Sequence, residues 1–207
     1  MANIITLARF IFLFVIVILA YRVEPILRLL CFPLVIIVFI GDAIDGYVAR
    51  KYNETSDFGA VFDIAIDRVV ENVLWLVLAD LDLVPVWIAI VFITRGFLVD
   101  SIRSRAGSQG KTPFAMMQSP VGRWLVAGRF MRSLYGAVKG VAFSMVFLIH
   151  ALPGLLPMFW QRWHDPLKMI TALLVYLAVL LCIVRGVPVI AEFYLAEMGK
   201  EHALKHR

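Results

Sequence analysis

The sequence predicts an all-α, polytopic membrane protein: six transmembrane helices forming one domain over residues 1–207. Three observations lead there. Hydrophobic residues make up 62% of the 207 positions and charged residues 17%, with a mean hydropathy of +0.88, whereas soluble domains carry about 25% charged residues. The apolar residues gather into runs, and at about 20 residues per helical span the length accommodates roughly six of them with short connections. Each run reads as a helix, because an unpaired strand or irregular backbone cannot satisfy its polar groups in lipid. The same composition excludes a disordered chain, a collagen-like fibre and a disulfide scaffold. The two cysteines, Cys31 and Cys182, lie inside apolar runs and read as small buried hydrophobes.

The first run covers 4–20; it is long and no basic stretch precedes it, so it reads as a span and not as a cleaved signal peptide. The second covers 26–49, apolar at its start and acidic towards its end. The third, 58–79, follows Ser56 and Asp57, which read as its N-terminal cap. The fourth, 86–102, opens directly after Pro85, and the fifth and sixth cover 134–152 and 167–194. There is no internal repeat and no low-complexity segment.

Orientation follows from the basic residues. Arg50 and Lys51, then Arg103, Arg105, Lys111, Arg123 and Arg129, then Lys200, Lys205 and Arg207 fall on one side; Arg22, Arg28 and Arg162 fall on the other, with Asp80 and Asp82. The positive-inside bias puts both termini, the 50–57 turn and the 103–132 connection in the cytoplasm. The net charge of +5 is thereby explained without nucleic acid; anionic lipid head groups suffice as partners.

Four carboxylates stand out. Asp42 and Asp45 lie near the cytoplasmic end of the second run, Asp63 and Asp67 near the start of the third. Spacings of three and four residues put each pair on one helix face, and the short turn between the runs predicts adjacent, antiparallel helices whose acids converge. Ionisable groups at such depth are costly and point to function. Four acids together need cations, and an oxygen-only donor set suits Mg²⁺, Mn²⁺ or Ca²⁺ better than zinc. Gly46, Ala49 and Gly59, each four residues from an acid, line the acidic faces with small side chains that leave room for close packing or a flat ligand. Arg50 adds a planar fork suited to phosphate. Metal, arginine and free space together describe a site for a nucleotide diphosphate.

Written out, these residues form D-x-x-D-G-x-x-A-R, eight residues, then G-x-x-x-D-x-x-x-D, running from Asp42 to Asp67. The motif resembles that of the CDP-alcohol phosphotransferases, integral membrane enzymes of phospholipid synthesis. Asn3, Thr6 and Arg9 are similar to the N-x-x-T-x-x-R found near the start of such proteins. The resemblance implies a six-helix fold with a polar cavity open to the cytoplasm, a homodimer, and transfer of a phosphatidyl group from CDP-diacylglycerol to an alcohol with release of CMP. It implies that Asp42, Asp45, Asp63 and Asp67 bind Mg²⁺ or Mn²⁺, with Asp67 as general base. Asp42, Asp45, Gly46, Ala49, Arg50 and Gly59 are implied to contact the CDP moiety. A bacterial or archaeal cytoplasmic membrane is the expected location.

The acceptor is read from a second basic group. Arg103, Lys111, Arg123, Arg129, Arg132 and Lys139 share the side of the acids, and those that topology does not account for suit a phosphorylated acceptor. The Asp67–Arg68 pair resembles inositol-phosphate-type members, yet Asp63–Ile64 matches neither that type nor the glycerophosphate type well. Glycerol-3-phosphate is the expected acceptor, inositol phosphate or another alcohol the alternative, and a divalent-cation transporter the alternative from another class. Arg68 and Glu71 are expected to pair within the membrane, and His150 and His164 to have no role.

Overall fold

The computed structural model describes the backbone of residues 2–52, 57–108 and 119–205 and most of their side chains. It is all-helical, with no strand among the described residues. Helix α1 runs Ala2–Ala20, α2 Pro25–Leu29, α3 Cys31–Tyr52, α4 Asp57–Asp80, α5 Val86–Ser108, α6 Pro120–Ala127, α7 Arg129–Leu155 and α8 Pro157–Lys205.

Local chemistry explains where the elements begin and end. The second apolar run is broken at Leu30 between α2 and α3, because Pro33 in the first turn of α3 has no N–H to offer the carbonyl four residues earlier. Helix α4 closes with Leu83 N–H bonded to Leu78 O at 2.9 Å and Asp82 N–H to Ala79 O at 3.1 Å. This is a Schellman closure, with Asp82 at φ 55° where glycine is commonest. Helix α6 was not anticipated within the 103–132 connection. Its start is set by Ser119, in extended conformation, whose Oγ accepts a hydrogen bond from Gly122 N at 3.0 Å, and by Pro120 in the first helical position.

Six long helices close a ring. Helix α1 packs on α3, α3 on α7, α7 on α8, α8 on α5, α5 on α4, and α4 back on α1. Helix α1 packs against both α3 and α4, and the expected approach of α3 to α4 is seen where the carboxylates of Asp42, Asp63 and Asp67 meet. The apolar core is centred on Trp75, stacked on Phe92 with ring centroids 4.5 Å apart and tilted against Phe143 at 4.3 Å. Cys31 and Cys182 are buried and unpaired, as expected. Small residues permit two close approaches: a Cβ on Gly140 would sit 3.3 Å from the Phe39 ring, and one on Gly154 would collide with the Pro25 ring.

Three helical stretches are long and apolar enough to cross a membrane: Pro25–Asp42, Phe130–Leu155 and Pro157–Ala196; Ile5–Ala20 is a shorter apolar helix. Helices α4 and α5 fall outside that standard because Asp63, Asp67, Arg68 and Glu71 interrupt one, and Arg95, Asp100, Arg103 and Arg105 the other. Helix α8 is far longer than the sixth run, at 49 residues with Pro166 and Pro188 inside it. At ~1.5 Å per residue it is more than twice as long as the ~30 Å hydrocarbon layer.

Candidate active site

Asp42 on α3 and Asp63 and Asp67 on α4 offer carboxylate oxygens that all lie within 4.8 Å of one another. Four residues along a helix return the chain to the same face, so Asp63 and Asp67 share one patch of α4, which Asp42 reaches from α3. Their side chains are 46%, 39% and 41% exposed, so the oxygens remain reachable. The donors are oxygens alone, which fits a hard divalent cation.

Arg9 of α1 draws the cluster together. Its Nη1 lies 3.4 Å from Asp42 Oδ1 and 3.4 Å from Asp63 Oδ1, and its Nη2 lies 2.6 Å from Asp67 Oδ1. Its Nε donates to Val38 O at 3.1 Å, and the side chain is only 5% exposed. A Cβ on Gly41 would lie 3.1 Å from Arg9 Cδ, so this glycine makes the seat for the arginine stem.

One turn deeper, a second network follows. The expected Arg68–Glu71 pair forms, with Nη1 3.1 Å from Oε2, and Arg68 also grips Asp100 of α5 through Nε at 2.5 Å and Nη2 at 3.0 Å. Glu71 receives Lys139 Nζ at 2.9 Å and Tyr135 OH at 3.3 Å, both from α7. Lys139 also stands 4.3 Å from the centroid of the Tyr135 ring.

Both networks contribute to a cavity of about 840 Å³, whose lining includes Asp42, Asp67, Glu71 and Asp100 together with Arg9, Arg68, Arg95, Arg103, Arg132, Tyr135, Lys139 and Arg185. Arg185 of α8 donates to Leu125 O at 3.0 Å and Val126 O at 3.3 Å, fixing the end of α6 against the cavity. Among the described residues, the buried Nε atoms of Arg95 and Arg185 have no hydrogen-bond partner. A Cβ on Gly186 would lie 2.7 Å from Arg95 Cγ, so Gly186 makes room for that arginine.

The expected site residues divide accordingly. Asp42, Asp63 and Asp67 meet, and Arg103, Arg132 and Lys139 line the cavity. Gly59 lies on α4 one turn before Asp63 and outside the cavity lining. Arg123 is exposed on α6, where Gly122 and Val126 are buried, and is not among the residues lining this cavity. Asp45, Gly46, Ala49 and Arg50 lie on α3 and Arg129 opens α7, with side chains outside the described residues. Lys111 and Ser56 lie outside the described residues, and Asp57 is the first residue of α4. His150 Nε2 lies 3.3 Å from Ala20 O, and His164 lies 3.1 Å from Asp165; neither is at the acid cluster.

Arg95, Asp100 and Arg185 were missed by sequence reasoning, although each interrupts an apolar run and Arg95 and Arg185 are each followed by glycine. An ionisable residue inside an apolar run is itself the signal.

A family model described as CDP-alcohol phosphatidyltransferase matches residues 1–197. The chain is 34% identical over 100 residues to the CDP-diacylglycerol--glycerol-3-phosphate 3-phosphatidyltransferase of Bacillus subtilis (strain 168), covering 48% of this chain and 52% of that protein. It is 34% identical over 101 residues to the protein of the same name from Rickettsia typhi, covering 49% and 57%. A CDP-diacylglycerol--inositol 3-phosphatidyltransferase 1 of Arabidopsis thaliana is 46% identical over 43 residues, 21% of this chain and 19% of that protein. The chain thus spans about half the length of the two bacterial relatives.

Proposed function

The chain belongs to the CDP-alcohol phosphatidyltransferase family, and from that membership we propose that it transfers a phosphatidyl group from CDP-diacylglycerol to glycerol-3-phosphate and releases CMP. The observation that carries this reading is that a three-carboxylate cluster contributes Asp42 and Asp67 to the same cavity that a set of arginines lines. The reaction joins two anionic substrates, and a cavity lined both by acids that suit a cation and by several guanidinium groups suits both.

Asp42, Asp63 and Asp67, with Asp45 of the same motif, are the residues that would hold Mg²⁺ or Mn²⁺. When bound, such an ion neutralises the diphosphate and stabilises the leaving CMP. Asp67 lines the cavity and takes the proton of the attacking acceptor hydroxyl. Arg50, with Gly46, Ala49 and Gly59, is assigned to the CDP moiety.

The acceptor phosphate is assigned to Arg95, Arg132 and Arg185. Two of these carry the buried, unpartnered Nε donors, and a phosphate oxygen is the acceptor such donors lack. Arg103 and Lys139 add positive charge around them. The bacterial relatives named for glycerol-3-phosphate match about half of the chain, whereas the match to the enzyme named for inositol covers 21% of it, which supports glycerol-3-phosphate as the acceptor. The transporter alternative does not account for the family match.

The remaining parts of the reading are a six-span membrane protein with both termini and the cavity mouth in the cytoplasm, acting as a homodimer. The basic residues of the 103–132 connection support the orientation. The apolar α1 and the three longer apolar stretches support several spans, with α4 and α5 completing the set by turning their charges towards the cavity. The experiment is CMP release from CDP-diacylglycerol by the purified protein in detergent, with glycerol-3-phosphate, inositol phosphate, serine or no acceptor. Release that requires glycerol-3-phosphate, ceases with chelator and returns with Mg²⁺ or Mn²⁺ is the expected result; full activity in excess chelator would overturn the metal assignment.

A further inference from the structure

We infer that Arg9 is a resident cation of the acid cluster that holds down its affinity for a free divalent ion, so that the ion binds tightly only together with an anionic diphosphate. The inference rests on the reading that the cluster holds a divalent cation.

The geometry is specific. One guanidinium takes an Oδ1 atom from each of Asp42, Asp63 and Asp67, at 3.4, 3.4 and 2.6 Å. These are the three residues whose oxygens are close enough to share an ion. A divalent ion placed among them is therefore a near neighbour of a fixed positive charge, and like charges at such separations repel strongly when screened from bulk water. Arg9 cannot step aside as a whole. Its stem is lodged against Gly41, where a Cβ would come within 3.1 Å of Cδ, and its Nε is bonded to Val38 O at 3.1 Å. With 5% of its side chain exposed, it is also poorly screened by solvent.

The packing gives this arrangement a reason. Helices α3 and α4 bear the acids, and α1 packs on both. Without an ion, the carboxylates would repel each other across that junction; Arg9 supplies the compensating charge from α1. The cluster can then stay assembled while empty, at the cost of a weaker hold on a free ion. A nucleoside diphosphate group brings negative charge that offsets Arg9, and by linkage the ion and the diphosphate strengthen each other's binding equally.

The test measures Mn²⁺ binding directly, by electron paramagnetic resonance on purified protein in detergent, with and without CDP. In the unaltered protein CDP should tighten Mn²⁺ binding at least about tenfold. Arg9→Met should bind Mn²⁺ at least about tenfold more tightly in the absence of CDP and show a smaller CDP effect, while Arg9→Lys, which keeps the charge, should stay near the unaltered protein. Tighter binding is the opposite of what loss of a purely structural tie would give. Unchanged or weaker Mn²⁺ binding in Arg9→Met overturns the inference and leaves the metal reading standing. No Mn²⁺ binding by the unaltered protein, with or without CDP, overturns the metal reading itself and this inference with it. Should Arg9→Met fail to fold, the guanidinium ¹⁵N resonance of Arg9, assigned through Arg9→Lys, is followed in the unaltered protein as Mg²⁺ is added; a shift is expected, and a resonance unmoved at saturating Mg²⁺ overturns the inference.

Discussion

Lys139 Nζ lies 2.9 Å from Glu71 Oε1, with the two side chains 12% and 8% exposed, and this contact ties α7 to α4 beneath the acid cluster. Glu71 is shared further, by Arg68 at 3.1 Å and Tyr135 at 3.3 Å. Removing one member of a buried ionic network leaves charges without compensation, which costs more than the network contributes. Glu71→Leu should therefore lower stability by about 3–5 kcal/mol, read as a fall in the thermal unfolding midpoint in detergent. Adding Lys139→Met to Glu71→Leu should recover part of the loss, because Arg68 still has Asp100 and the stranded lysine is gone. A double variant less stable than Glu71→Leu would contradict this account of the pair.

For Asp67, the conservative change isolates proton transfer. Asp67→Asn keeps the shape and one oxygen but cannot take up the acceptor's proton, so turnover should drop by at least about 10²-fold. Binding of CDP-diacylglycerol should be affected far less. Near-normal turnover at saturating metal would remove Asp67 from the role of base.

The acceptor assignment predicts a split in KM. Arg132→Gln should raise the KM for glycerol-3-phosphate much more than that for CDP-diacylglycerol, because only the former loses a charge-assisted contact. Arg132 lines the cavity from an exposed position, so the loss corresponds to about 1.5–3 kcal/mol, the range for a hydrogen bond to a charged group. Arg50→Ala should show the reverse bias. Arg123→Gln, at an exposed position outside the cavity lining, should move neither constant; equal effects of Arg123 and Arg132 substitutions would reduce the basic group to a topological signal.

What could be read in the sequence was what lies within a few turns of chain. Asp63 and Asp67 converge because a four-residue spacing is one turn, and Arg68 meets Glu71 for the same reason. Arg9 meets Asp67 across 58 positions, and no local periodicity encodes that distance; it follows from α1 packing on both α3 and α4. The role of Arg185 likewise depends on α8 lying against α6. Other features had a local signal that composition obscured. Ser119–Pro120 is a helix-start pair inside the 103–132 connection, and residues 157–166 fall between the fifth and sixth apolar runs although α8 runs through them. The helix there continues because Gln161, Arg162 and Asp165 are exposed and need no partner in the core.

The position of Arg9 in the chain bears on how the protein is made. Proteins emerge from the ribosome N-terminus first, and Arg9, Asp42, Asp63 and Asp67 are all present once the first four helices, α1 to α4, have been synthesised. A nascent segment carrying bare carboxylates would be expensive to hand over to lipid, but here the compensating cation is synthesised before any of the acids it meets. Glu71 is served in the same way: Arg68 covers it from the same helix, while Lys139 arrives only with α7. The acids of both networks on α3 and α4 thus each have one cationic partner encoded at or before the helix that carries them, Arg9 for Asp42, Asp63 and Asp67 and Arg68 for Glu71.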